Sequence, residues 1–173
     1  MGRVGNLVYI YGDGLNGNVN VNFNNIAAVV ESVTANKIVT RASQNATAGY
    51  NNITITKNGT VSNTFVYNVL SEDQNRIIFH VTAATNVGEN IYIVGNIPEL
   101  DSWEPNNCTE AMMNPNYPEW FLPVSVPINT NIEFKFIKKD AQGNAILESG
   151  DNRVILSSSL PAGSIDSPIY NWK

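Results

Sequence analysis

Asn18-Val19-Asn20-Val21-Asn22-Phe23-Asn24 alternates polar and apolar residues without a break. Successive side chains of a strand point to opposite faces, so Val19, Val21 and Phe23 share one face and the asparagines share the other. That is the signature of a strand with one dry side. Working outward, Leu7 to Tyr11, Ala27 to Ser32, Ile53 to Lys57 and Thr64 to Val69 carry related patterns. Gly12-Asp13-Gly14, Asn16-Gly17 and Asn58-Gly59 are turn signals between them. No stretch combines helical spacing with caps over three turns. About six short strands in about 70 residues read as a small sandwich.

A second block starts near Arg76. Its expected strands are Ile77 to Thr82, Asn90 to Gly95, Trp120 to Val126, Ile132 to Lys139 and Arg153 to Leu156, with an end strand near Ile169 to Trp172. Ser71-Glu72-Asp73-Gln74-Asn75 divides the blocks. It is short and holds no Gly or Pro, which favours two domains packed close together. The expected fold class is therefore all-β: two tandem antiparallel β-sandwich domains, residues 1–71 and 75–173.

Composition narrows the chemistry. The chain has 173 residues, 10 Lys plus Arg, 15 Asp plus Glu and a net charge of −5, while asparagine occurs 27 times. A nucleic-acid partner would need clustered cations, so none is expected. No apolar run approaches the roughly 20 residues of a membrane span, so no membrane is expected as a partner. One cysteine, Cys108, excludes an internal disulfide framework. One histidine, His80, excludes a multi-His metal site. His80 lies in the alternating run Arg76 to Thr82 and reads as a strand histidine rather than a catalytic base. No cofactor is expected.

The tryptophans (Trp103, Trp120 and Trp172) all fall in the second block. Aromatics on the loops of a β scaffold point to binding there. Trp103, between Pro98 and Pro105, reads as an exposed platform or as a plug folded into the core. Trp120 opens a strand and reads as core, whereas Tyr117 precedes Pro118 in a turn and reads as exposed. In Glu133-Phe134-Lys135-Phe136-Ile137, alternation puts Lys135 opposite the two phenylalanines.

Val87-Gly88-Glu89-Asn90-Ile91-Tyr92-Ile93-Val94-Gly95-Asn96-Ile97-Pro98-Glu99-Leu100, followed by Trp103, resembles the opening of a family 20 carbohydrate-binding module, the starch-binding domain. Tyr117-Pro118-Glu119-Trp120, Glu133 to Ile137, Glu148-Ser149-Gly150-Asp151-Asn152-Arg153 and Tyr170-Asn171-Trp172-Lys173 follow in that family's order. The first block is similar to the immunoglobulin-like TIG (IPT) domain through Val8-Tyr9-Ile10-Tyr11-Gly12-Asp13-Gly14-Leu15 and Ser62 to Tyr67, without room for that domain's first strand. Together they look like the two C-terminal domains of cyclodextrin glucanotransferases and related amylases.

The resemblance implies two sugar sites and no catalytic residues. The first would use Trp103 as a stacking platform, with Lys135, Glu148 and Asn152 bonding hydroxyls. Leu147 stands where the family commonly has a second tryptophan. The second would use Tyr117 with Thr85, Val87, Gly88 and Asn90. A glucose ring offers a weakly apolar face and a rim of hydroxyls, which indole and fixed polar groups complement. The implied partners are starch, maltooligosaccharides or cyclodextrins, together with the catalytic domains of a family 13 glycoside hydrolase, in a secreted, extracellular bacterial setting. Two other readings stand beside it. Glu148 and Asn152 are also ordinary residues for the turn around Ser149-Gly150-Asp151. The pair of sandwiches also suits an adhesion or spacer protein that binds another protein. Paired carboxylates for glycosidase work find no motif here. Four Asn-x-Ser/Thr patterns, including Asn107-Cys108-Thr109, carry no functional weight in so asparagine-rich a chain.

Overall fold

The computed structural model describes residues 1–108, 110–157 and 164–173. Thr109 of the Asn107 pattern lies outside them. The chain forms two compact units, Met1–Asp73 and Gln74–Lys173.

In the first unit the strands are β1 (Leu7–Tyr11), β2 (Val19–Phe23), β3 (Ile26–Ala27), β4 (Val30–Val33), β5 (Lys37–Arg41), β6 (Gly49–Lys57), β7 (Thr60–Val61) and β8 (Phe65–Val69). One sheet runs β1-β5-β4; the other runs β3-β2-β6-β7, with β8 also on β6. The alternating β2 behaves as its pattern requires: Val21 and Phe23 are buried with Ile38, Ile53 and Ile55. The stretch expected as one strand from Ala27 to Ser32 is two. The chain changes sheets there: β3 pairs with β2 and β4 with β5. At the crossing, Ala28 N–H donates to Val21 O and Arg41 N–H donates to Val29 O.

The second unit contains β9 (Gln74–Thr82), β10 (Asn90–Gly95), β11 (Met113–Asn116), β12 (Glu119–Pro127), β13 (Asn131–Lys139), β14 (Ala145–Leu147), β15 (Arg153–Leu156) and β16 (Ser164–Asn171). Short 3₁₀ segments, Pro98–Trp103 and Pro105–Asn107, bridge β10 to β11. One sheet is ordered β11-β12-β9-β16, and the other β10-β13-β14 with β15 also on β13. Among the described residues of this unit the strand pairs are antiparallel except β16 on β9, which is parallel. Both sheets contribute to the core: Ile77, Phe79 and Val81 of β9 and Trp120 and Leu122 of β12 meet Ile91 and Ile93 of β10 and Phe134 and Phe136 of β13. Phe134 lies edge-on to Phe79, Phe136 and Tyr170, the preferred geometry for aromatic pairs. Trp120 is core, and its indole Nε1–H finds Ala83 O at 2.9 Å. The polar end of a buried indole needs such a partner.

Candidate functional site

The register of β13 creates two faces. Ile132, Phe134 and Phe136 point into the core, so Glu133, Lys135, Ile137 and Lys139 point outward. One cross-strand row on the outer face is Tyr92, Ile137 and Leu147. The segment 97–108 folds over it. Val94, Ile137 and Cys108 form a small second core, against which Tyr92 and Trp103 pack half-buried. Trp103 is therefore neither bare nor sealed in the main core: it sits on the outside of the sheet over its own support.

Several devices fix that support. Lys139 Nζ donates to Pro105 O at 3.1 Å and Cys108 O at 2.9 Å, and lies 4.9 Å from the Tyr92 ring centroid. Burial first, then the Asp101 side chain, pushes the Cys108 thiol up to about 12. Gly95 is required at the start of the segment, since a Cβ there would fall 2.5 Å from Glu133 O and 2.7 Å from Leu100. Asp101, Ser102 and Trp103 then take three successive left-handed conformations, with φ of 58°, 47° and 65°. For residues with a Cβ this is strained backbone, of the kind that collects at functional sites.

Lys135 reaches the 148–150 turn. Its Nζ donates to Gly150 O at 2.6 Å and to Glu148 O at 3.2 Å. Leu147 is exposed beside it on β14, and Asn152 is exposed just past the turn. Asn152 Nδ2 donates to Glu133 Oε2 at 3.0 Å. Thus Lys135, Leu147, Asn152 and Trp103 all belong to the outer surface of this sheet.

Glu148 needs a correction. Its side chain is 0% exposed, so its carboxylate does not serve as a surface acceptor for a hydroxyl. Oε1 and Oε2 receive Arg153 Nε and Nη2 at 2.8 and 2.7 Å, and Oε1 also receives Phe136 N–H at 3.1 Å. A buried carboxylate must be paired and fully hydrogen-bonded, and here it is. Arg153 also donates to Asn171 O at 2.6 Å and stands 4.5 Å from the Tyr170 ring centroid. What Glu148 offers the outer surface is its main-chain carbonyl, already held by Lys135.

The second group also assembles. Thr85 N–H donates to Tyr117 Oη at 3.0 Å, and the tyrosine hydroxyl returns a bond to Thr85 O at 3.3 Å. The exposed Tyr117 is thereby fastened to the 85–90 loop. Val87 is fully exposed at the tip of that loop. Gly88 has φ of 86° and open space where a side chain would be. Asn90 is exposed at the start of β10. Glu89 closes the turn: its Oε2 accepts from Asn86 N–H at 2.7 Å, and that bond holds its carboxyl below the ordinary value.

His80 sits on β9 between two carboxylates of neighbouring strands. Its Nε2 lies 3.3 Å from Asp166, its Nδ1 lies 3.7 Å from Glu119, and its ring stacks on Phe121. These are the contacts of a cross-strand clamp on the outer face of the other sheet. Among the described residues no group of three His, Cys, Asp or Glu side chains could hold a metal ion. No described helix is long and apolar enough to cross a membrane. Residues the sequence reading did not single out are Glu133, which holds Asn152, and Arg153, which holds Glu148. Alternation puts Glu133 on the face of Lys135, and that was the available signal.

The second unit is thus a two-sheet β module with half-exposed and exposed aromatic side chains on its outer surfaces and polar groups beside them. Residues 74–164 match the starch binding domain family, and the chain belongs to it. Residues 1–72 match the IPT/TIG domain. Over 180 residues the chain is 42% identical to the cyclomaltodextrin glucanotransferase of Geobacillus stearothermophilus, covering 100% of this chain and 25% of that protein. The crystal structure of the Gamma-CGTase from Alkalophilic bacillus clarkii superposes with a TM-score of 0.55 at 32% identity, covering 99% of this chain and 26% of that one. The family 15 glucoamylase of Hypocrea jecorina shares the fold over 58% of the chain, with a TM-score of 0.53. The chain spans about a quarter of the length of the curated relatives it matches.

Proposed function

We propose that the second unit grips starch, maltooligosaccharides and cyclodextrins at two surface sites and holds the catalytic domains of a family 13 glucanotransferase or amylase on its polymer outside the cell. In the first site the unpacked part of the Trp103 indole stacks on a glucose ring, Leu147 flanks it, and Lys135 and Asn152 bond hydroxyls. In the second, Tyr117 stacks while Thr85, Gly88 and Asn90 present polar groups and Val87 an apolar tip. The single observation that carries this reading is Trp103, held half-exposed over its own small core on the sheet face that also presents Lys135, Leu147 and Asn152. An indole face that loses about 100 Å² to a sugar contributes about 2.5 kcal/mol, part of which is offset by ordering and imperfect pairing. Two modest sites on one rigid unit gain further on a polymer, where the second contact is intramolecular. The first unit serves as a spacer.

The test is a titration with β-cyclodextrin followed by intrinsic tryptophan fluorescence, alongside retention on amylose resin. The wild-type chain should respond and be retained. Trp103→Ala should abolish most of the fluorescence response, and adding Tyr117→Ala should abolish retention. A flat wild-type titration without retention would favour the adhesion or spacer reading.

A further inference from the structure

Resting on the reading of the Trp103 surface as a sugar site, we propose that Glu133 is its positioning residue: it fixes which way the Asn152 amide faces and so makes Asn152 a hydroxyl acceptor. A side-chain amide has a donor end and an acceptor end, and its terminal torsion is broad and nearly two-fold. An exposed asparagine left to itself presents either end. Here Asn152 Nδ2 lies 3.0 Å from Glu133 Oε2. A carboxylate only accepts, so the –NH₂ must face Glu133, and Oδ1 is turned away from it.

Lys135, on the same face as Glu133, is a donor only, and its Nζ bonds the carbonyls of Glu148 and Gly150 in the turn just before Asn152. A donor from Lys135 and an acceptor from Asn152 on one sheet face suit a sugar's hydroxyl rim, one hydroxyl accepting and one donating. A flipped amide would offer two donors and lose that match.

The main chain of Glu133 ties this pair to the platform. Glu133 N–H donates to Asn96 Oδ1 at 3.0 Å, and Asn96 N–H donates to Glu133 O at 3.0 Å. Asn96 opens the segment that carries Trp103, so one residue registers both the stacking surface and the amide. No ion pair accounts for the Glu133 carboxylate among the described residues. Its side chain is partly exposed, so it is not there to stabilise a core.

The experiment is calorimetric titration of β-cyclodextrin into the full chain carrying Tyr117→Ala, which silences the second site. Glu133→Ala should weaken binding about fivefold, the worth of one oriented hydrogen bond. Glu133→Gln keeps an acceptor opposite Asn152 and should stay within about twofold of the parent. In a chain already carrying Asn152→Ala, Glu133→Ala should add nothing, because the two act as one unit. Thermal midpoints should stay together, which a merely structural role would not allow. Glu133→Ala binding like the parent while Asn152→Ala and Trp103→Ala are weakened would overturn the proposal and leave the sugar site standing. Full loss from Glu133→Ala in the Asn152→Ala background would also overturn it. If neither Trp103→Ala nor Asn152→Ala changes binding, the site reading fails and this proposal fails with it.

Discussion

Replacing Glu148 by alanine should strongly destabilise the second unit rather than merely blunt its binding. The carboxylate is fully enclosed and receives two bonds from Arg153 and one from the Phe136 amide. Removing it leaves a guanidinium charge and a main-chain N–H without their acceptor. Breaking a buried pair in this way costs about 3–5 kcal/mol, against a total stability of about 5–15 kcal/mol for a typical domain. At about 4–8 °C per kcal/mol for a domain near this size, the midpoint should fall by about 20 °C. Tryptophan fluorescence in a urea or thermal melt reads the right unit, because Trp103, Trp120 and Trp172 all lie in it. The double change Glu148→Leu with Arg153→Met should recover much of the loss, since the penalty comes from the stranded charge rather than from the pair's own worth. A Glu148→Ala chain with an unchanged midpoint and lost β-cyclodextrin binding would refute this reasoning and return the residue to the sugar site.

Three further outcomes follow from the same geometry. Leu147→Trp should tighten the first site by about 1 kcal/mol, or about fivefold, by adding a flat apolar surface beside Trp103; calorimetry in the Tyr117→Ala background measures it. The Cys108 thiol is raised from its ordinary 9.0 to about 12, so the unfolded chain ionises first. Its contribution is complete below that ordinary value and is lost as pH climbs toward the raised one; the gap in alkaline stability between wild type and Cys108→Ala should narrow across that window. Glu89 is shifted the other way, below 4.5. Its hold on the 85–90 loop is present above that value and lost as pH falls through the lowered one. In a Trp103→Ala chain, β-cyclodextrin affinity should drop on acidification, and Glu89→Gln should remove that dependence.

The strands that are easy to read are those whose inward residues are all apolar, such as Val21 and Phe23, or Ile77, Phe79 and Val81. Lys37–Arg41 escapes notice because one of its inward residues is Thr40, fully buried with its hydroxyl bonded to Val29 O at 2.7 Å. Met113–Asn116 is an edge strand carrying Pro115, which in sequence argues against a strand. The sugar-site candidates are legible as residue types, and alternation places Lys135 on the outer face of β13, but the fold is needed to bring Trp103 and Asn152 to that face. The fate of Glu148 is not legible, because a carboxylate in Glu-Ser-Gly-Asp-Asn looks like turn chemistry. Its hidden clue is Arg153, which the turn brings back onto it and which the core then closes over. Trp103 shows the same limit. Spacing offers surface or core, whereas the fold supplies a third answer, a separate small core built outside the sheet.

The three left-handed residues that end at Trp103 bear on how quickly this surface acts. The backbone under the indole is bent into place when the chain folds. On the proposed reading, a glucan would therefore meet a ready-made ledge whose shape does not have to be built on contact, which suits brief, repeated footholds along a solid polymer rather than one long embrace.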